Sequence, residues 1–329
     1  MNNKCRILVT GASGFVGNAV VKRLVESESV DCTGAIRTQN GCNKPLENQV
    51  VVAELERLTD WSSALQNQHI VIHTAARAHI MKDEVPDPLA EYRKVNVDGT
   101  LNLARQAAES GVKRFIFISS IKVNGEQTFP HPDPLPGGEG KVTCFTEQDA
   151  PAPEDAYGIS KLEAEQGLQK LAAETGMEVV IIRPPLVYGP GVKGNFATLL
   201  RLVEKGLPLP LGAVHNKRSL VALDNLVDLI VTCLDHPAAA NQIFLAGDGE
   251  DLSTTELLRC IAKAMDKPAR LIPIPVGMLM FGATLLGKKA VAKRVLGSLQ
   301  VDISKARDVL GWEPVVGVEA ALEKAVNRE

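Results

Sequence analysis

A tyrosine and a lysine stand four residues apart in the segment DAYGISK, as Tyr157 and Lys161. On a helix, residues i and i+4 share a face, so the Lys161 ammonium could reach the groups that the Tyr157 phenol contacts. A free tyrosine titrates near ~10, and nearby positive charge stabilises its phenolate. The pair could therefore move a proton. The same spacing is also found on helix faces that only contact solvent, so the rest of the chain must decide.

Three glycines near the N-terminus, Gly11, Gly14 and Gly17, are spaced as G-x-x-G-x-x-G between an apolar run and a helix-like segment. Gly11 permits a tight turn, Gly14 lets the backbone approach a pyrophosphate, and Gly17 allows close helix packing. The N-terminus of the helix adds N–H donors and partial positive charge. The pattern predicts a dinucleotide site, because a glycine-rich turn without a ligand does not explain three glycines in register.

The end of the second strand-like run carries no acid between Thr33 and Asn40. An acid there usually accepts hydrogen bonds from the adenosine ribose of NAD. Arg37 instead stands 20 residues after Gly17, where a guanidinium could bind a 2′-phosphate. We therefore expect NADP(H) as the favoured cofactor, with NAD(H) possible. The alternative for Arg37 is a solvated surface arginine.

Two serines, Ser119 and Ser120, end the apolar run RFIFISS. Ligands of open α/β sheets bind at the carboxyl ends of the strands, where a serine hydroxyl can orient a substrate oxygen. Tyr157 would exchange the proton of a carbinol while the cofactor exchanges hydride at the same carbon. A grouping of Ser119 or Ser120 with Tyr157 and Lys161 therefore predicts hydride transfer.

The elements that position these residues alternate between strand-like and helix-like segments through the first half of the chain. The six strand-like runs are CRILVTG, DCTGAIR, VVVAEL, HIVIHTAA, RFIFISS and EVVIIRPP. This alternation predicts an α/β fold, a doubly wound parallel-sheet Rossmann domain with a smaller α/β substrate-binding domain. We expect residues 1–184 to form the dinucleotide-binding domain, with 218–246 returning to it. Residues 185–329 would form mainly the substrate-binding domain.

Two segments stand out by composition. The stretch from Thr128 to Thr143 is rich in proline and glycine, which predicts a loop, either a surface insertion or a lid. The most apolar late segment, IPIPVGMLMFGATLLG (272–287), is interrupted by proline and glycine and too short to span a bilayer. It predicts a buried helix or pocket wall, with membrane contact as the alternative.

The overall composition is that of a globular protein, with 329 residues of which 45% are hydrophobic. A net charge of −3 gives no basic surplus, so we expect neither nucleic acid nor an anionic membrane as the main partner, and the shortness of the apolar segment 272–287 predicts no membrane insertion. The six cysteines form no C-x-x-C and no zinc-like spacing, which predicts reduced thiols and no metal. No secretory signal is visible at the N-terminus, which favours the cytoplasm.

Seven motifs together resemble the extended short-chain dehydrogenase/reductase superfamily and, within it, the nucleotide-sugar epimerase/dehydratase family (UDP-glucose 4-epimerase-like). They are TGASGFVG, VIHTAA, NVDGTLNL, FISSIKVNG, YGISKLEAE, IIRPPLVYGPG and DISKARDVLGWEP, and they cover nearly the whole chain. The resemblance implies Ser120, Tyr157 and Lys161 as catalytic residues. For cofactor binding we expect Gly11, Ser13, Gly14, Phe15, Val16, Gly17, Arg37, Glu54, Leu55, Thr74, Ala75, Ala76, Asn96, Ser119, Tyr157, Lys161 and Pro184, with His73 beside them.

The resemblance also implies a site for a UDP-sugar in the second region. Ser120, Asn195, Gly212 and Arg218 would contact the substrate, with Arg218 pairing with the diphosphate. It further implies a homodimer, in which the long helices after Gly99 and Tyr157 form a four-helix bundle.

Three features separate the chain from typical UDP-glucose 4-epimerases. Asn124 replaces a tyrosine, Arg37 replaces an acid, and 37 residues separate Ser120 from Tyr157. The first two make the chain more similar to bacterial UDP-4-keto-6-deoxy-N-acetylhexosamine 4-reductases. The leading prediction is therefore NAD(P)-dependent reduction of a UDP-4-keto-hexose at C4. One alternative is a 4-epimerase for UDP-glucose or UDP-N-acetylglucosamine that retains NAD. Another, of a different class, is a non-catalytic protein that senses dinucleotides.

Overall fold

The computed structural model describes residues 4–37, 48–52, 54–78, 85–128 and 144–327. The strands are β1 (Cys5–Thr10), β2 (Val30–Ile36), β3 (Gln49–Val51), β4 (Ile70–His73), β5 (Arg114–Ile118), β6 (Glu178–Arg183), β7 (Leu186–Tyr188), β8 (Arg218–Ala222), β9 (Ile243–Leu245) and β10 (Asp251–Leu252). A seven-stranded parallel sheet has the order β3-β2-β1-β4-β5-β6-β9. A smaller sheet has the order β10-β8-β7.

The helices lie between and after these strands. They are α1 (Phe15–Val25), α2 (Ser62–Leu65), α3 (Pro88–Tyr92), α4 (Thr100–Glu109), α5 (Ala156–Thr175), α6 (Gly194–Glu204), α7 (Leu223–Thr232), α8 (Thr254–Ala264), α9 (Val276–Leu285), α10 (Lys289–Leu296), α11 (Ser304–Leu310) and α12 (Val318–Asn327). A π-helical segment, Arg93–Gly99, joins α3 to α4. The predicted doubly wound α/β fold is confirmed.

The apolar runs form buried strands because helices cover both faces of the large sheet. Ile7 and Leu8 are adjacent in β1 but belong to different apolar clusters. Successive side chains of a strand point to opposite faces, so the two clusters are the two sides of the sheet. The third large cluster, around Tyr188 and Leu258, joins the small sheet to α6, α8 and α12.

The segment 218–246 contributes to both sheets. Its first strand, β8, joins the small sheet, and its last strand, β9, pairs with β6 in the large one. The sequence did not predict β9, which supplies only three residues. The predicted domain boundaries stay a prediction.

Two expectations need correction and one falls outside the description. The segment 272–287 does not form a buried helix, because no residue of α9 is buried, and its role as a pocket wall stays a prediction. Strand β3 ends at Val51, before the predicted end at Leu55. Apart from Thr128, the predicted loop from Thr128 to Thr143 lies outside the described residues. No helix in the described ranges is long and apolar enough to cross a membrane.

Candidate active site

The turn after β1 requires glycine at two positions. Gly11 has a φ of +69°, and a Cβ there would lie 2.8 Å from both the Ala75 nitrogen and Thr74 Oγ1. At Gly17 a Cβ would lie 2.2 Å from the Gly11 carbonyl oxygen. The turn is therefore packed tightly against its own helix and against the end of β4, as a dinucleotide loop requires.

The N-terminus of α1 can hold a dinucleotide pyrophosphate. Gly14 is its N-cap and supplies no side-chain cap, so the first amides of the helix, at Phe15, Val16 and Gly17, have no partner within the helix. Ser13 and Gly14 are exposed at the same turn. The free amides of the first turn and the lack of a capping side chain at Gly14 therefore fit the dinucleotide pyrophosphate that the sequence predicts.

The other predicted cofactor residues divide between the carboxyl edge of the sheet and its margin. At the edge, Thr74 donates a 2.7 Å hydrogen bond to the Thr10 carbonyl, and Asn96 donates a 3.0 Å bond to Ser160 Oγ. The Pro184 carbonyl accepts a 3.0 Å bond from the Ile121 amide. Ala75 is half-buried, whereas Ala76 is exposed.

The margin residues follow β2 and β3. Arg37 comes directly after β2 and is exposed, as is Glu54. Leu55 is buried and packs against Gly99, where a Cβ would lie 2.8 Å from Leu55 Cγ. Leu55 therefore has a packing role in the structure, independent of any ligand.

Helix α5 presents the tyrosine and the lysine in its first two turns. Asp155 caps the helix by accepting a 2.8 Å hydrogen bond from the Gly158 amide. Lys161 is only 2% exposed, and its Nζ donates a 2.8 Å bond to the Ile118 carbonyl. The same Nζ lies 4.4 Å from the centroid of the Phe117 ring and 5.9 Å from that of Tyr157. Lys161 thus joins α5 to the end of β5.

Ser119 and Ser120 lie next to this contact but differ in their partners. The Ser119 amide donates a 2.8 Å bond to the Ile182 carbonyl, and its hydroxyl donates to Glu165. Ser120 is half-buried, and its Oγ accepts a 3.3 Å bond from the Lys122 amide. The Ser120 hydroxyl proton therefore stays available for another acceptor.

Burial dominates the protonation of the tyrosine and the lysine. It lowers the pKa of Lys161 to about 7, although Glu165 acts in the opposite direction. It also raises the pKa of Tyr157, and Asp155 and Tyr92 raise that pKa further. The chain alone therefore favours the neutral phenol, whereas the sequence argument expected Lys161 to favour the phenolate.

His73 is a packed strand residue. Its Nδ1 is 2.6 Å from Thr10 Oγ1 and its Nε2 is 2.9 Å from Thr100 Oγ1. Burial, and secondarily Lys161, lowers the pKa of His73 to about 3. A neutral ring held between two hydroxyls is a structural element of the sheet edge.

A buried ion pair behind the site escaped the sequence argument. Arg183 Nη2 is 2.5 Å from Glu165 Oε2, and the two side chains are 3% and 2% exposed. Arg183 Nη1 also donates a 2.9 Å bond to Asn124, whose Nδ2 donates a 2.8 Å bond to the Thr146 carbonyl. Together with the Ser119 hydroxyl, this network fixes the strand ends behind Lys161. The signal was present, because Glu165 follows Lys161 by four residues and shares its helix face.

The predicted substrate residues lie on the small-sheet side. Arg218 Nη1 donates to the Arg294 carbonyl at 2.8 Å and to the Gly297 carbonyl at 3.0 Å. The Gly212 amide donates a 2.9 Å bond to the Ile272 carbonyl. Asn195 is exposed in the first turn of α6, with no side-chain hydrogen bond to the described residues. No hydrogen bond joins these three residues to one another.

The site and the fold agree with a match to a known family. Residues 7–247 match the profile of the NAD dependent epimerase/dehydratase family. The chain belongs to this family and is an enzyme of the type it defines. The alternative of a non-catalytic dinucleotide sensor is left without support.

Individual relatives are similar over nearly the full length. A UDP-glucose 4-epimerase of Vibrio cholerae is 51% identical over 310 residues, which cover 94% of this chain and 90% of that protein. The crystal structure of the Thermotoga maritima UDP-glucose 4-epimerase with UDP-glucose is 25% identical, with a TM-score of 0.74 and 98% of each chain covered. The Bacillus cereus UDP-glucuronic acid 4-epimerase in complex with NAD has the same fold, at 21% identity, a TM-score of 0.75 and 98% of each chain covered.

Proposed function

We propose that the enzyme interconverts the two C4 epimers of a UDP-hexose, with a dinucleotide that stays bound through the cycle. The observation that carries the proposal is the grouping of Ser120, Lys161 and Tyr157 at the carboxyl end of β5, where Lys161 Nζ binds the Ile118 carbonyl and lies 5.9 Å from the centroid of the Tyr157 ring. The 51% identity to a UDP-glucose 4-epimerase supports epimerisation over the reduction that the sequence first favoured.

The glycine turn and the amides of α1 would hold the dinucleotide. A bound oxidised nicotinamide would supply the hydride acceptor at C4 and a positive charge that favours the phenolate of Tyr157. Tyr157 would then take the proton of the C4 hydroxyl and later return it to the C4 oxygen. Ser120 would donate a hydrogen bond to the same oxygen, since its Oγ already accepts the Lys122 amide.

In this proposal Lys161 acts on the charge of Tyr157. Its Nζ is anchored to the Ile118 carbonyl, so its position relative to the Tyr157 ring is fixed. A protonated ammonium at that place favours the phenolate electrostatically.

Epimerisation also requires that the oxidised sugar rotates within the site before hydride returns, so that hydride adds to the opposite face of C4. The chain must therefore bind UDP more firmly than the hexose, which is the role we assign to Asn195, Gly212 and Arg218.

The identity of the dinucleotide rests on Arg37. The family and the Bacillus cereus structure are both named for NAD. An exposed Arg37 after β2, with no acid in its stretch, favours NADP. We propose that the dinucleotide is tightly held and that Arg37 would contact its adenosine ribose at the 2′ position. Release by denaturation, followed by chromatography against NAD and NADP standards, identifies it.

The architectural predictions that remain are part of the proposal. Residues 1–184 would bind the dinucleotide, 218–246 would return to that domain, and 185–329 would mainly bind the UDP-sugar. Two chains would pair through α4 and α5 in a cytoplasmic homodimer.

The direct test is to incubate the purified enzyme with UDP-galactose, without added cofactor, and to follow the anomeric protons by NMR. We expect UDP-glucose to form until the two sugars reach equilibrium. The corresponding pair of UDP-N-acetylhexosamines is tested in parallel. A requirement for added NADPH, together with conversion of a UDP-4-keto-hexose, would support the reductase and contradict the proposal.

A further inference from the structure

The α9–α10 hairpin (residues 276–296) exposes an unusual amount of apolar surface. Twelve large apolar side chains are exposed in the described parts of the chain, and half of them belong to this hairpin. They are Val276, Met278, Phe281, Leu285, Leu286 and Val291. Phe281, Leu285 and Leu286 are 68%, 72% and 74% exposed, respectively. Exposed apolar side chains gathered in one hairpin in this way indicate a binding surface.

Helix α9 has no polar face that would turn toward water. Its one polar side chain is Thr284, whose hydroxyl donates a 2.8 Å bond to the Met280 carbonyl of the same helix. A Cβ added at Gly277 or Gly282 would meet no heavy atom of the described residues within 4 Å. The helix therefore satisfies its own polar groups and is open on its outer side, as immersion in an apolar medium requires.

Basic side chains adjoin this apolar surface. The hairpin contains Lys288, Lys289, Lys293 and Arg294 and no acidic residue, although the whole chain has a net charge of −3. All four side chains are exposed. None of the three lysines forms an ion pair with a residue that the structure describes, whereas Arg294 lies 3.6 Å from Glu126. Such a local excess of positive charge beside apolar side chains complements an anionic lipid surface.

The length of α9 shows that the hairpin could lie on a membrane surface but could not cross a bilayer. Its ten residues extend over about 15 Å, half of the hydrocarbon thickness of a bilayer. The base of the hairpin is fixed to the small-sheet region, because Thr254 Oγ1 donates a 2.6 Å bond to the Val295 carbonyl. Arg218 binds the Gly297 carbonyl at the same end. The hairpin can therefore only lie at the surface of a membrane.

We propose that the α9–α10 hairpin docks the enzyme on an anionic lipid bilayer. Phe281, Leu285 and Leu286 enter the acyl boundary, and Lys288 and Lys289 contact the headgroups. This takes up the membrane contact that the sequence left as the alternative for 272–287, and it departs from the expectation, based on the net charge of −3, that an anionic membrane is not the main partner. The inference is independent of the reaction that the enzyme catalyses.

The test is flotation of the full-length enzyme with phosphatidylcholine vesicles, with and without phosphatidylglycerol. We expect flotation with the anionic vesicles and its loss at high salt. Phe281→Glu with Leu285→Glu should weaken binding at least ~10²-fold, because two large apolar side chains no longer leave water. Lys288→Glu with Lys289→Glu should weaken it more than ~20-fold, since each basic residue near an anionic bilayer contributes about fivefold.

Matched controls separate docking from general effects. Leu58, which is 92% exposed, and Lys4, which is also exposed, lie outside the hairpin. Leu58→Glu and Lys4→Glu should float like the wild type, and all variants should keep the wild-type melting temperature. Wild-type enzyme that stays with the unbound fraction would overturn the proposal. So would dissociation of an oligomer by Phe281→Glu with Leu285→Glu in the absence of vesicles, because a second copy would then cover the surface.

Discussion

Tyr157 carries the proposed proton transfer, and its substitution is the sharpest test at the scale of a single residue. Tyr157→Phe keeps the ring, which packs edge-on to Tyr92 at 6.0 Å between centroids, and removes only the hydroxyl. Turnover should fall at least ~10²-fold. The amount of dinucleotide released per chain on denaturation should match the wild type. Wild-type turnover in this variant would exclude Tyr157 as the acid–base group.

The buried pair of Glu165 and Arg183 should be necessary for stability. Glu165→Gln leaves the Arg183 guanidinium buried without its counter-charge, so the free energy of unfolding should fall by about 3–5 kcal/mol. The control is Glu163→Gln on the same helix, because Glu163 pairs with Arg93, which is 49% exposed. The control should change stability far less in the same denaturant titration. Equal losses would show that burial of the pair is not the cause.

His73 makes stability depend on pH in a defined window. The pKa of His73 falls from the ordinary histidine value of 6.5 to about 3 in the fold, so between these values the unfolded chain binds more protons. Stability therefore falls as the pH decreases, by up to about 1.4 kcal/mol per pH unit from this residue. His73→Gln removes that contribution, so its unfolding free energy should decline less steeply below pH 6.5. Parallel curves for the two proteins would contradict a neutral buried histidine.

At the scale of the elements, the turn between β1 and α1 should determine dinucleotide retention. A Cβ at Gly17 would lie 2.2 Å from the Gly11 carbonyl, so Gly17→Ala must open the turn. We expect purified Gly17→Ala to release little dinucleotide on denaturation. Gly277→Ala is the control, because its Cβ would meet no described atom within 4 Å. Full dinucleotide content in Gly17→Ala would show that the turn does not hold the cofactor.

The sequence predicted those features whose residue pattern is local, that is, contained within one strand, one turn or one helix. The run RFIFI is buried along its whole length in β5, as its composition indicates. The glycine spacing predicted the tight turn, because a Cβ at any of the three glycines would approach either the turn itself or the residues that follow β4. The i, i+4 relation placed Tyr157 and Lys161 on one side of α5.

The failures concern properties that depend on what covers an element. The α9 segment is apolar, and composition does not reveal whether another element packs on it. The pKa of Tyr157 rises through burial and Asp155, which are set by packing and by the capped helix start. The pair of Glu165 and Arg183 joins residues 18 apart on different elements, so the i, i+4 position of Glu165 relative to Lys161 indicated the helix face but not the partner.

At the scale of the whole molecule, reductase and epimerase differ in the fate of the dinucleotide rather than in the catalytic residues. A reductase must release oxidised cofactor after every turnover, whereas an epimerase regenerates its own and gains by retaining it. Arg37 could favour NADP in either case, so cofactor preference alone does not separate them. Retention of the substrate's hydride separates the two enzymes, because only an epimerase returns the same hydride to the sugar within one catalytic cycle.

The most direct test follows deuterium at C4 of UDP-galactose through the reaction, in the presence of excess unlabelled NADH and NADPH. If the same bound dinucleotide accepts and returns hydride, the UDP-glucose product should keep its deuterium at C4, and mass spectrometry of both sugars measures it. We predict full retention, with no deuterium in the free dinucleotide. Deuterium in the free pool, or UDP-glucose that has lost its deuterium at C4, would contradict the epimerase.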